Sequence, residues 1–229
     1  MLVSESTSRG LAAGLPIAAR PQPASSRVLL ARWAVISTAL TPLVMTGAWL
    51  VAEGLQPPSY SPLHSSISGL AALGATDRWI VTSALFLVGL CYFVSAGCLP
   101  RLRRSARIVL LVAGISSIGI AVSPQPADGS SAMHMVWTCV GAAAITIWPV
   151  FTASRAPSRP LILTARGAVT VTAVFLVLSA WLIAETQHGS ALGLTERLVS
   201  GIQITWPFIV ALALNRAHER ERKTSATPA

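Results

Sequence analysis

Charge is what this sequence has least of. Only 11% of its 229 residues are Asp, Glu, Lys or Arg, against roughly a quarter in a soluble domain. So few charges cannot clothe a globular surface in water, and lipid must do it. Acids are scarcer than bases, 8 against 17. The positive excess still gives no nucleic-acid signal, because it is parcelled into clusters between apolar runs. The three cysteines, Cys91, Cys98 and Cys139, all fall within those runs, where an external disulfide framework is not expected. Strict catalytic signatures are missing as well: the chain contains neither H-E-x-x-H nor G-x-S-x-G.

What the chain has in abundance is apolar length. Runs at about 33–52, 79–99, 107–123, 133–152, 161–184 and 195–214 each approach the ~20 residues that cross ~30 Å of hydrocarbon at 1.5 Å per residue. Backbone polar groups need partners in lipid, so these runs predict helices rather than barrel strands. The fold expected is an all-α membrane protein of six transmembrane helices in three hairpins. Arg9, Arg20, Arg27 and Arg32 lie at the start. Arg101, Arg103, Arg104 and Arg107 join helices 2 and 3, while Arg155, Arg159 and Arg166 join 4 and 5. Arg216, Arg220, Arg222 and Lys223 follow helix 6. These 15 of the 17 basic residues share one side, which the positive-inside rule makes cytoplasmic, with both termini inside. Residues 1–28 read as a disordered cytoplasmic tail, 29–215 as the transmembrane domain and 216–229 as a basic cytoplasmic tail. The localisation expected is the plasma membrane. Its partners are the bilayer and, at the cytoplasmic face, anionic lipid headgroups, with no nucleic acid.

The opposite side holds nearly all the residues capable of acid–base or metal chemistry: Glu53, Asp77, Asp128, Glu185, Glu196, His64, His134 and His188, with Arg78 and Arg197. The first loop there, "SYSPLHSSISGLAALGATDRW" (59–79), is too polar to span and too apolar for a plain solvated loop. Ser61 as N-cap and Pro62 at the first helical position predict a short interfacial helix over 62–73, closing on Gly74. Its i, i+4 spacing puts His64 and Ser68 on one face, and Thr76 or Asp77 then caps helix 2. In the second loop, "SPQPADGSSAMHMVW" (123–137), Ser130 or Ser131 caps helix 4 and Asp128 can fold back toward His134. In "TERLVSGIQITW" (195–206), Thr195 is the cap, while Glu196, Ser200 and Gln203 form a polar stripe. The echo of "ITIWPVF" (145–151) in "ITWPFIV" (204–210) is read as chance plus interfacial tryptophan anchoring.

Three of these segments, "YSPLHSSISGL", "SPQPADGSSAMH" and "GLTER", together resemble the bacterial and archaeal integral-membrane family catalogued as domain of unknown function 998. The resemblance covers roughly residues 30–215. It implies a six-helix bundle with an outer cluster drawn from Ser61, His64, Ser68, Asp128, His134, Glu196 and Arg197. It brings no established activity.

Three functions follow from these residues. The first is an accessory or scaffold role, in which the outer cluster is a hydrogen-bonded clasp, with His64 on Asp128 or Arg197 on Asp77. The second is a membrane-embedded hydrolase or transferase acting on a lipid-linked or anionic substrate. Its catalytic candidates are His64, Ser68, Asp128, His134 and Glu196. In a metal-dependent form His64, His134 and Asp128 are the ligands, in the three-ligand arrangement that suits catalytic zinc. In a metal-free form His64 is the base for Ser65 or Ser68. Arg197 and Ser65 would then hold substrate. The third is a small-molecule carrier, with the proline-kinked helices 1, 4 and 6 and the stripe of Glu196, Ser200 and Gln203 lining the path.

Overall fold

The structure, a computed structural model, describes residues 24–156 and 159–226. Most of them lie in six helices: α1 (Ala24–Gly54), α2 (Trp79–Cys98), α3 (Arg104–Val122), α4 (Ala132–Phe151), α5 (Ala165–His188) and α6 (Leu192–Ala226). Each is long and apolar enough to cross a membrane, and there is no strand among the described residues. Of the tail expected over 1–28, residues 1–23 lie outside the described residues, and the rest already belong to α1. The basic tail after 215 continues α6 as helix to Ala226, where His218 and Glu221 meet Arg101 from the α2–α3 loop at 2.7 and 3.3 Å.

The distribution of side chains is that of a lipid-solvated bundle. Leu43, Val177 and Ile183 are more than 60% exposed, which water would penalise and hydrocarbon does not. The interior goes instead to small and hydroxylated residues such as Ala34, Ala52, Ala84, Ala106, Ser37, Thr38 and Ser95. Helices in lipid gain little from burying more apolar area, so they associate through close packing and interhelical hydrogen bonds. Both devices are present. A Cβ on Gly89 would stand 2.8 Å from the Gly114 carbonyl oxygen, so α2 and α3 cross nearly backbone to backbone. Ser37 and Ser95 hydroxyls join α1 to α2 at 2.9 Å, and the Ser117 hydroxyl donates to the Leu85 carbonyl at 2.6 Å.

Neighbours in sequence are neighbours in space, and α6 returns to pack on α1, closing the ring. Pro42, Pro149 and Pro207 are absorbed within continuous helices. Trp148 is no interfacial anchor. It is fully buried, and its indole N–H donates to the Ala106 carbonyl at 2.9 Å. Loops α1–α2, α3–α4 and α5–α6 share the acidic face of the bundle, and the basic loops share the other.

The segment read as a helix over 62–73 differs. It is a succession of turns with a 3-10 helix only at Ser68–Ala71. The reason lies in where its backbone groups go. The Ser66 hydroxyl takes the Gly69 N–H, the Leu63 carbonyl accepts from Leu194 N–H, and the Ile67 N–H donates to Glu196. Groups that would close helical turns are spent on α6 instead.

Candidate functional site

The site is built where this connector crosses the first turns of α6. A Cβ on Gly193 would lie 2.4 Å from the Pro62 carbonyl oxygen and closer still to that of Ser65. Only glycine lets the two backbones touch. The contact also gives Leu194 N–H, an otherwise orphaned donor at a helix start, the Leu63 carbonyl at 3.1 Å.

One turn on, Arg197 reaches back across the connector. Its Nε donates to Glu53 Oε1 on the last turn of α1, both side chains being about seven-eighths shielded at 12% and 13% exposure. Nη1 donates to the carbonyls of Ser65 (2.9 Å) and Gly193 (2.7 Å), and Nη2 to the Tyr60 hydroxyl at 2.6 Å. One guanidinium thus ties α1, the connector and α6 together, and each of its three nitrogens is engaged. Burial pushes the Tyr60 hydroxyl above its ordinary value of 10.0, against the pull of Arg197. The phenol therefore stays neutral and offers Arg197 a lone pair.

Glu196, half-buried beside it, faces the connector's 3-10 turn. Its Oε2 accepts from Ile67 N–H at 2.7 Å. The connector thus lends a backbone donor to a carboxylate of α6. Further bonds pin the connector's ends. The Gln56 side-chain amide pairs with both the N–H and the carbonyl of Thr76, and Leu73 N–H donates to the Gln125 carbonyl in the α3–α4 loop.

The remaining sequence candidates are dispersed. His64 is exposed, with Nδ1 3.0 Å from the Ser61 hydroxyl, not from Ser65 or Ser68. His134 is buried at the start of α4, its Nδ1 2.9 Å from the Ser123 carbonyl. A carbonyl accepts only, so Nδ1 carries a proton and donates it. Asp128 is exposed on its loop and bonds to neither histidine. The ligand set of His64, His134 and Asp128 is therefore not assembled. Among the described residues no three His, Cys, Asp or Glu side chains gather to hold a metal ion. Asp128 fails because its own turn points it to solvent, while Ser131 caps α4.

The polar stripe on α6 ends in hydrogen bonds to its neighbours. Gln203 is buried, and its Nε2 donates to Thr146 of α4 (3.2 Å) and Ser179 of α5 (3.1 Å), whose hydroxyls are 2.9 Å apart. Ser200 is half-buried between Glu196 and Gln203. Thr195 is not the cap, since α6 starts at Leu192 and encloses it. Helix α2 has Arg78 at its N-cap with no side-chain cap. The pairings Arg197 with Asp77 and His64 with Asp128 give way to Arg197 with Glu53 and Glu196 with Ile67. Sequence reading missed Glu53 and Tyr60 as partners of Arg197, and Thr146 and Ser179 as partners of Gln203. The one available signal was charge balance, since a shielded arginine needs a carboxylate and Glu53 ends the first apolar run.

The family described as "Protein of unknown function (DUF998)" matches residues 39–213. The chain belongs to this family. The match runs from the middle of α1 into α6, so the DUF998 region contains every residue of the Arg197 and Glu196 network. No curated protein and no solved structure gives a significant match.

Proposed function

We propose that this protein is an accessory or scaffold membrane protein, and that its polar network on the acidic face is a structural clasp rather than a reaction centre. The observation that carries this reading is that Arg197 already donates from all three of its nitrogens, through four of its five N–H groups. Glu53, two carbonyls and Tyr60 already occupy its nitrogens, and Glu196 accepts from the connector's Ile67 N–H. A substrate anion taking a two-point grip on the guanidinium would have to displace at least one of these partners. In this reading the basic face is cytoplasmic, with both termini inside, and its arginines meet anionic headgroups of the plasma membrane.

The test is thermal unfolding of the purified full chain. Removing one partner of a shielded ion pair costs roughly 3–5 kcal/mol, so Arg197→Gln should lower the melting temperature markedly. Arg197→Lys should restore little, because one ammonium cannot serve partners spread around a planar fork. A full-stability Arg197→Gln protein that had lost binding of an anionic substrate would contradict the clasp.

A second reading has one contact in its favour. The Ser61 hydroxyl and His64 Nδ1, 3.0 Å apart on the exposed face, have the spacing of a nucleophile and its base, which suits the hydrolase or transferase alternative. A fluorophosphonate probe that labels the wild type and spares Ser61→Ala would support it. Absence of labelling at Ser61 would remove it.

A further inference from the structure

On the acidic face, away from the clasp, the α2–α3 seam opens into a groove of about 570 Å³. Its wall on α2 is a stripe at helical spacing, Trp79, Ser83, Phe86 and Leu87, and its α3 side is Ala121 and Val122. Ala121 is buried and small, which makes the floor. Trp79, Phe86, Leu87 and Val122 are 44–68% exposed and make a rim that faces the bilayer. From Arg78 to Leu87 the helix rises about 14 Å, close to half of the ~30 Å hydrocarbon core. The groove is one leaflet deep.

Its upper end carries a cation. The Arg78 guanidinium stacks 3.9 Å above the Trp79 ring, and no carboxylate forms an ion pair with it among the described residues. Arg197, the other arginine of this face, is consumed by Glu53. Stacking on an aromatic ring occupies one face of the guanidinium and leaves its N–H edge available for a planar, two-point contact with an oxyanion. Below it, the exposed Ser83 hydroxyl sits between the charged head and the apolar floor. Polarity thus falls along the groove as it does along a membrane lipid.

We propose that this groove holds one phospholipid of the adjacent leaflet, with its phosphate on Arg78 and an acyl chain along Phe86, Leu87 and Val122, and that it prefers an anionic headgroup. The preference follows because a zwitterionic headgroup brings its own ammonium, which offsets the attraction. Nothing in the proposal depends on which side of the membrane the acidic face takes.

Native mass spectrometry of the delipidated full chain, titrated with phosphatidylglycerol, tests it. One saturable site is expected. Loss of a charge-assisted contact should weaken it roughly tenfold in Arg78→Gln. Ser83→Phe, which fills the groove and leaves Arg78 in place, should weaken it comparably. Arg78→Lys should recover part of the loss. Diacylglycerol, which lacks the phosphate, should bind at least as poorly as phosphatidylglycerol binds Arg78→Gln. Glycerol phosphate, which lacks the chains, should not compete. All three variants should keep the wild-type melting temperature, since none touches the clasp. Equal retention by wild type, Arg78→Gln and Ser83→Phe would overturn the proposal. So would unsaturable uptake, the mark of annular lipid alone, or effective competition by glycerol phosphate.

Discussion

Arg197 shows why residue identity in the clasp is demanding. Its side chain serves a carboxylate, two carbonyls and a phenol at once, and the geometry depends on Gly193 letting the connector lie against α6. Gly193→Ala places a methyl group against two backbone oxygens that cannot swing aside. It should cost about 1–3 kcal/mol, as overpacking does, read as a lower denaturation midpoint. Glu196→Ala leaves the Ile67 N–H without its acceptor and should cost a similar ~1–3 kcal/mol, whereas Glu196→Gln, which keeps an oxygen there, should lose less. Tyr60 adds a pH signature. Its folded pKa is raised above the ordinary 10.0 by burial, so the stability it contributes is complete below pH 10 and is lost as pH rises through the folded value. Tyr60→Phe should flatten that alkaline loss in an unfolding series against pH.

At the scale of elements, the six helices were legible because a bilayer asks for one simple thing, ~20 apolar residues in a row. The connector between α1 and α2 was not legible in the same way. Its Ser-Pro start and apolar spacing are those of a helix, yet its N–H and carbonyl groups find partners on α6, some 130 positions away in sequence. Local propensity loses to such long-range bonds, and nothing in the spacing of Ser61 to Gly74 announces them. The stripe Glu196, Ser200, Gln203 was visible, but its meaning depended on Thr146 and Ser179, two hydroxyls in otherwise apolar runs. Interhelical hydrogen bonds in membranes contribute roughly 0.6–2 kcal/mol each. Gln203→Leu should therefore reduce stability by about that much, measured by unfolding in detergent. A carrier whose path ran past Gln203 would instead lose flux at unchanged stability.

For the molecule as a whole, the ring of helices has one junction that chain connectivity does not make, between α1 and α6. The clasp sits at that junction, joining Glu53 at the end of α1, the connector that follows it, and the first turns of α6. Lipid offers little hydrophobic drive for closing a ring, so a shielded charge pair and a set of satisfied carbonyls at its rim suit the task. Composition alone made the membrane setting plain, through the 11% of charged residues and the segregation of arginine to one face. The pairing of Glu53 with Arg197 was hidden because both look like ordinary helix-end charges until the fold brings them together.

Glu53 and Arg197 should act as one structural unit closing the bundle. A double-mutant cycle with Glu53→Gln, Arg197→Gln and the double variant, followed by reversible unfolding, measures it directly. Each single change should be strongly destabilising, and the double should cost far less than their sum, with a coupling of at least ~1 kcal/mol. Additive losses, or an Arg197→Gln protein as stable as the wild type, would show that the pair does not close the bundle.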